Sequence, residues 1–221
     1  MEIPLFPLPN LVLFPHIVVP LHIFEERYKL MINGCIDRSE VFGLVLLHKD
    51  AEEETEETIH RVGVTARIVD VERLDEGRMN ILCEGEDRFR VLRFTEKTPF
   101  WKGAVNLLEE KEQITDVLYE QVAELYRSVS TTSAKLSGSP ETELALPESA
   151  TDLSHLVSYV LEIDSEEKQK LLEMDSTAER LRMLVAHLTD VLRKLEQQRT
   201  VKDIMGKVRG NGDLGRPHTE K

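Results

Sequence analysis

Residues 62–94 read VGVTARIVDVERLDEGRMNILCEGEDRFRVLRF, and their apolar pattern twice changes phase. Val62, Val64, Ala66 and Ile68 alternate strictly, and the pattern then slips by one residue to Val69 and Val71. Phe89 and Val91 share one phase; Leu92 and Phe94 take the other. Strand side chains repeat every two residues, so a slip turns the inward face outward. A β-bulge or a strand crossing between faces does this. Two slips predict a small, strongly curved barrel rather than a flat sheet. Asp75-Glu76-Gly77 supplies a turn glycine and predicts a hairpin between Val62–Leu74 and Arg78–Cys83. Glu84-Gly85-Glu86 reads as the next turn, and Trp101–Leu108 as the last strand.

Upstream, Val41–Leu47 is nearly all apolar, which predicts a central strand buried on both faces. Ile3–Leu8 and Ile17–Ile23 are also β-rich, but Pro4, Pro7 and Pro20 restrict them to edge or irregular strands. Phe24, Tyr28, Met31, Ile32, Cys35 and Ile36 recur at helical spacing, giving one short helix over 25–38, slightly weakened by Gly34. Lys49–Thr58 holds five Glu and one Asp and reads as a solvated loop. The first 110 residues thus predict six or seven strands and one helix.

Downstream the period becomes helical. Val117, Leu118, Val122, Leu125 and Tyr126 form a stripe, and residues 128–149, rich in Ser, Thr and Pro without a period, read as a flexible connection. Leu153, Leu156, Val157, Val160 and Leu161 form one helix face, and a shorter helix begins near Ser165. Ser176-Thr177-Ala178-Glu179 fits a capping box, in which a hydroxyl and a Glu three residues later each satisfy an orphan backbone N–H. Leu181, Leu184, Val185, Leu188, Val191, Leu192 and Leu195 line a long helix, either as bundle core or as a dimer seam. The fold class is therefore α+β: a pseudo-β-barrel with one short helix over 1–112, a helical bundle over 113–205, and a polar, Gly-containing tail over 206–221 expected to be disordered. A monomer and a weak dimer both remain open.

The net charge is −13 over 221 residues. Residues 1–108 hold 13 Lys and Arg against 19 Asp and Glu, so the barrel half carries −6. That balance disfavours nucleic acid, whose affinity rests on Lys and Arg displacing counterions, and equally disfavours anionic membrane surfaces. Cys35 and Cys83 sit in apolar patterns without CxxC spacing and read as buried thiols, as expected in a reducing compartment. No basic n-region precedes Pro4, Pro7 and Pro9, and no apolar run is long enough to span a bilayer, so the expected location is cytoplasmic.

The sequence lacks a GxxxxGK[ST] loop, an HExxH motif and a GxSxG elbow, so no cofactor or catalytic residue is expected. His48 and His60 flank the acidic loop, and His16 and His22 lie in the first apolar segment. Their spacing gives no reason to expect convergence on a metal.

The opening, Pro4-Leu5-Phe6-Pro7-Leu8-Pro9-Asn10-Leu11-Val12-Leu13-Phe14-Pro15 and then Pro20-Leu21-His22-Ile23-Phe24-Glu25-Glu26-Arg27-Tyr28, resembles the start of the Lon protease N-terminal domain family. Val62-Gly63-Val64-Thr65-Ala66-Arg67-Ile68 resembles that family's central strand, and Asn80-Ile81-Leu82, Glu84-Gly85 and Arg88-Phe89-Arg90-Val91 its hairpin. Lys168–Asp175 and Glu179-Arg180-Leu181 continue the likeness, which extends to about residue 195. The resemblance implies a PUA-like pseudo-barrel packed with helices, and recognition of protein substrates or partners, linked to proteolysis or quality control. Full-length Lon proteases continue into an AAA+ ATPase and a Ser–Lys protease. No motif of either occurs up to Lys221, so the expectation is a stand-alone binding module for exposed or unfolded polypeptide, without ATPase or peptidase activity.

Leu13, Phe14, His16, Ile17 and Val18 crowd around Pro15, where prolines hinder sheet pairing. With Phe24, Arg27 and Tyr28 they form the expected partner-binding site. The alternative is that Phe14 and Ile17 close the barrel bottom. Two other readings are a ligand or enzymatic site at the barrel mouth around His16, His22 or Cys35, and RNA binding, against which the charge weighs.

Overall fold

The computed structural model describes residues 1–110, 116–140 and 145–211. Its elements are β1 (Glu2–Leu8), β2 (Val18–Ile23), α1 (Glu26–Arg38), β3 (Phe42–Leu47), β4 (Ile59–Arg73), β5 (Met79–Glu96), β6 (Lys102–Leu107), α2 (Asp116–Ser137), α3 (Ala150–Val160), α4 (Ser165–Glu173) and α5 (Thr177–Asn211). The six strands form one sheet in the order β2-β5-β4-β3-β1-β6, and β6 also pairs with β5. The fold is α+β, with the strand ladder curling back on itself as the two phase slips predict. Register shifts fall between Ile68 and Asp70 in β4 and between Val91 and Arg93 in β5, where the slips lie.

Two very long strands, β4 and β5, pair with each other along most of their length, and β5 serves two further neighbours in turn. Met79–Glu84 of β5 pairs with β2, and Phe89–Glu96 with β6. Ile3, Leu5, Val45, Ile59, Phe89, Val91, Trp101 and Val105 fill the resulting interior. β3 is central and almost wholly buried, as its run of apolar residues predicts. Cys35 and Cys83 are buried free thiols, with burial pushing their pKa up to about 11 and about 12.

Three local expectations change. β1 is no edge strand: it lies between β3 and β6. Glu2–Pro4 pairs with β6 and Leu5–Leu8 with β3, so each proline sits where its strand has a ladder on one side only. Glu84-Gly85-Glu86 is no turn but the middle of β5. Gly85 is there because the 13–17 segment crosses it: His16 N donates to Gly85 O (2.8 Å), Gly85 N donates to Ile17 O (3.0 Å), and a Cβ would lie 2.4 Å from Phe14 O. Finally, residues 128–137 of the expected flexible connection are helical and belong to α2. Residues 141–144 lie outside the described residues. Helix α5 runs to Asn211 and so takes in 206–211 of the expected tail, whose remaining residues 212–221 lie outside the described ones.

The chain forms two compact units, Met1–Thr115 with Pro147–Arg180, and Asp116–Leu146 with Leu181–Lys221. In the first, the returning segment carries α3, α4 and the start of α5. In the second, α2 buries Val122 and Ala123, Leu181, Leu184 and Leu188 of α5 are buried, and Lys202 Nζ donates to Leu136 O (2.9 Å). Ser176 Oγ accepts from Glu179 N (3.2 Å), as a capping box requires. Among the described residues no helix is long and apolar enough to cross a membrane.

Helix α3 turns a different face inward than its leucines suggest. Ser154, His155 and Ser158 are buried with Leu153 and Val157, while Val160 is exposed. That polar face meets a charged cluster. Glu110 receives Arg88 Nη2 and Arg180 Nη2, both at 2.9 Å, and lies 3.5 Å from His155 Nε2. The arginines also close the C-terminal end of α4. Arg88 donates to Leu172 O and Met174 O (2.7 and 2.8 Å), and Arg180 to Leu171 O and Met174 O (3.0 and 2.7 Å). Carbonyls at a helix end have no intrahelical partner, so buried guanidinium forks satisfy them here.

Candidate binding face

The side chains of β2 alternate cleanly: Val19, Leu21 and Ile23 are buried, and Val18, Pro20 and His22 are exposed. Directly opposite residues of an antiparallel pair share a face. Val18 stands opposite Glu84, Pro20 opposite Leu82, and His22 opposite Asn80. The outer face therefore collects Val18 (51% exposed), Pro20, Leu82 (38%) and, just past the strand, Phe24 (59%), whose ring stacks on His22 with centroids 5.9 Å apart. Val69, the bulged residue between Ile68 and Asp70, adds a further exposed apolar side chain on β4.

Polar cross-strand contacts border this apolar centre. Arg67 pairs with Glu84, and its Nε donates to Glu86 (2.7 Å). His22 Nδ1 lies 2.7 Å from Asn80 Oδ1, and Asn80 Nδ2 donates to Glu72 (2.7 Å). An apolar middle with a polar rim is the anatomy of a protein-recognition surface. β2 stands at the end of the sheet order, so among the described residues one long edge of this face has no strand beside it.

The expected site residues separate into three groups. Leu13 and Phe14 are core, Phe14 with no exposed surface and its ring 6.1 Å from that of His155. Arg27, half-buried, and Tyr28, buried, are committed to contacts within the molecule. Both Arg27 Nη atoms donate to Glu54 (2.7 and 2.6 Å), and Tyr28 Oη donates to the same carboxylate (3.2 Å) beneath the Phe6 ring, 4.0 Å away. Burial, followed by the Glu54 charge, raises the Tyr28 pKa, and the Glu54 hydrogen bonds raise that of Arg27. Trp101 Nε1 also donates to Glu54 (3.1 Å), so one carboxylate of the expected solvated loop is a structural anchor. Ile17 is half-buried; His16, Val18 and Phe24 remain exposed. His16 adopts φ 62° and lies 3.6 Å from Asp152. Pro20, Leu82 and Val69 escaped the sequence reading. The period of β2 marks Pro20 as a companion of Val18, whereas Leu82 requires the β2–β5 register.

The histidine expectation also changes. His48 and His60 do converge: Leu47 pairs with Ile59 across the β3–β4 hairpin, and the two rings lie 3.9 Å apart. Glu166 of α4 joins them.

A family model for the ATP-dependent protease La (LON) substrate-binding domain matches residues 2–190. The Lon protease of Flavobacterium johnsoniae is 26% identical over 215 residues, which are 94% of this chain and 26% of that protein. The Lon protease of Cytophaga hutchinsonii is 28% identical over 207 residues, 90% of this chain and 25% of its own length. This chain thus spans about a quarter of the relatives it matches. Among solved structures, a Lon N-terminal domain protein from Xanthomonas campestris superposes with a TM-score of 0.61 at 22% identity, covering 84% of this chain and 98% of that one. The N-terminal domain of a Mycobacterium avium complex Lon protease gives 0.64 at 18% identity, covering 86% and 99%. Both share the fold.

Proposed function

The chain belongs to the family of Lon substrate-binding domains, and from that membership we propose that the outer face of β2 and β5 binds extended polypeptide segments rich in aliphatic and aromatic side chains. The observation that carries the reading is the contiguous exposure of Val18, Pro20, Leu82 and Phe24 on a sheet edge. An extended chain can lie along such an edge, gaining main-chain hydrogen bonds while its alternate side chains meet the apolar row. Pro20 withholds one donor, which discourages the wholesale edge-to-edge pairing that leads to aggregation. The rim carboxylates Asp70, Glu72 and Glu84, on a chain of net charge −13, favour segments with basic flanks. Unfolded proteins present such segments, as do flexible regions of folded partners. Binding, not bond cleavage, is the activity proposed.

Phe24→Ser and Leu82→Ser test this reading against a reduced, carboxymethylated model protein that cannot fold. We expect the double variant to bind at least about tenfold more weakly, the loss of about 1.4 kcal/mol that one removed anchor produces, with an unchanged melting temperature. Phe14→Ser serves as the contrast, since it should unfold the sheet rather than spare it. Undiminished binding by the Phe24/Leu82 double variant would overturn the assignment.

A further inference from the structure

We propose that His48, His60 and Glu166 form a binding site for a divalent transition metal of the Zn2+ class, fastening the first turn of α4 to the β3–β4 hairpin. The three side chains each offer a ligand atom, and these atoms all lie within 4.8 Å of one another. His60 Nε2 is 3.1 Å from Glu166 Oε2, and His48 Nδ1 is 3.6 Å from Glu166 Oε1. Ligands around a tetrahedral ion at about 2.0 Å stand about 3.3 Å apart. The two His–Glu separations lie either side of that value and run to the two oxygens of one carboxylate, so an ion would draw both imidazoles toward Glu166.

A second, independent feature distinguishes this group from a chance meeting of surface side chains. The other nitrogen of His60, Nδ1, faces Glu173 at 3.4 Å. Gln169 Nε2 donates to Glu173 Oε1 (2.9 Å) and to Val62 O (2.9 Å), which fixes that carboxylate against β4. A carboxylate behind a histidine holds the proton on Nδ1, turns the Nε2 lone pair toward the metal and raises its basicity. Glu166 is also held in place, since Lys49 N donates to its Oε1 (3.2 Å). Nearby ammonium groups are engaged elsewhere: Lys49 Nζ is held by Asp164 (2.8 Å) and Lys170 Nζ by Glu167 (2.6 Å). Imidazole nitrogen with a single carboxylate suits Zn2+, Co2+, Ni2+ or Cu2+, whereas Ca2+ and Mg2+ prefer an all-oxygen shell. Three protein ligands leave room for water to complete the sphere. The site shares no residue with the proposed polypeptide face.

The test is a Co2+ titration of the full chain after treatment with chelator. The expected result is one equivalent bound, with the intense visible absorption of a low-coordinate ion, bleached by one equivalent of Zn2+. His48→Gln, His60→Gln and Glu166→Gln should each abolish that absorption. Glu173→Gln should weaken binding about 10–100-fold, as loss of such a supporting carboxylate does. Co2+ that keeps the faint spectrum of its hexa-aqua form would overturn the proposal. So would binding that persists equally in the three ligand variants, which would assign it to the remaining histidines. Circular dichroism in chelator establishes that each variant folds. If His60→Gln does not, His48→Gln decides, because that side chain is 47% exposed and its loss leaves the interior intact.

Discussion

Helix α4 is held at both ends by charged side chains, and the two ends differ in kind. At the C-terminal end, two buried guanidinium groups meet one carboxylate and three backbone carbonyls, and nearly every donor has an acceptor. At the N-terminal end, two imidazoles meet the Glu166 carboxylate in a half-open site, and His60 reaches past it to Glu173 in the last turn. The first arrangement is closed: both guanidinium groups are buried, and the permanent charge of Arg suits it to a fixed role. The second still has room for a cation. A short helix of nine residues has little intrinsic stability. Its placement therefore depends on these ends, and the closed one should dominate.

Replacing the central arginine tests that dominance most severely. Arg180→Ala leaves Leu171 O and Ser154 Oγ without their donor, takes one of two guanidiniums from Glu110, and opens a cavity where no surface is exposed. Breaking a buried pair from one side costs about 3–5 kcal/mol, and urea unfolding should register a loss of that size. Arg180→Lys should recover little, because one ammonium cannot reproduce a fork aimed at several acceptors. A loss below about 1 kcal/mol, the scale of a surface pair, would break the contrast.

Acid should act on the same end. Despite burial, which pushes the other way, the contacts from His155, Arg180 and Arg88 hold the Glu110 pKa down at about 2. Burial lowers the His155 pKa to about 4, and its ring nitrogens lack close hydrogen bonds. Both folded-state values lie below the unfolded ones, so the unfolded chain binds more protons throughout the window. Stability is then complete above the ordinary histidine pKa. It declines as His155 is forced to charge and falls further as pH drops through the Glu110 value. The two groups titrate as one unit; at about 1.4 kcal/mol per pKa unit each contributes on the order of 3 kcal/mol, so the combined loss should lie between about 3 kcal/mol and twice that. Melting curves from neutral to acidic pH should show this limb in the wild type and a shallower one in Glu110→Gln. Equal slopes would remove Glu110 from the account.

The parts of this architecture legible in the sequence were those governed by local periodicity. The phase slips at Ile68–Val69 and Val91–Leu92 located two bulges because a bulge reverses the period where it occurs. Val18 and Phe24, singled out because prolines hinder sheet pairing nearby, are exposed because they escape the apolar face of β2. What failed depended on chain segments distant in sequence. Phe14 and Phe24 look alike locally, and only the crossing of residues 13–17 over Gly85 makes Phe14 core. The same crossing makes Gly85 necessary within a strand, where a local reading sees a turn. Arg180 had a faint signal, being four residues before Leu184 on the apolar side of α5, but its partners come from α3, the C-terminal end of α4 and Glu110, which follows β6. His48 and His60 become neighbours once the β3–β4 register is known, whereas Glu166 needs the return of the chain through α4.

The smallest expected effect sharpens the contrast from the open end. Asp164 caps α4: its Oδ1 accepts from Glu166 N (2.9 Å), while Oδ2 receives Lys49 Nζ (2.8 Å). The Lys49 contact, followed by the cap, holds its carboxyl pKa below the ordinary value. The two roles separate by substitution. Asn keeps a side-chain oxygen for the cap but loses the charge, whereas Ala loses both. An exposed ion pair contributes under about 1 kcal/mol, and an N-cap about 1. In chelator, Asp164→Ala should therefore lower stability by about 1 kcal/mol and Asp164→Asn by a few tenths. The cap also aims the backbone that carries Glu166, since it fixes the N–H of that same residue. If α4 depends on its closed end, neither variant should change the urea dependence of unfolding, because the helix stays docked through Arg88 and Arg180. A loss for Asp164→Ala as large as that for Arg180→Ala would mean that the two ends share the load, and the distinction between a closed end and an open one would not stand.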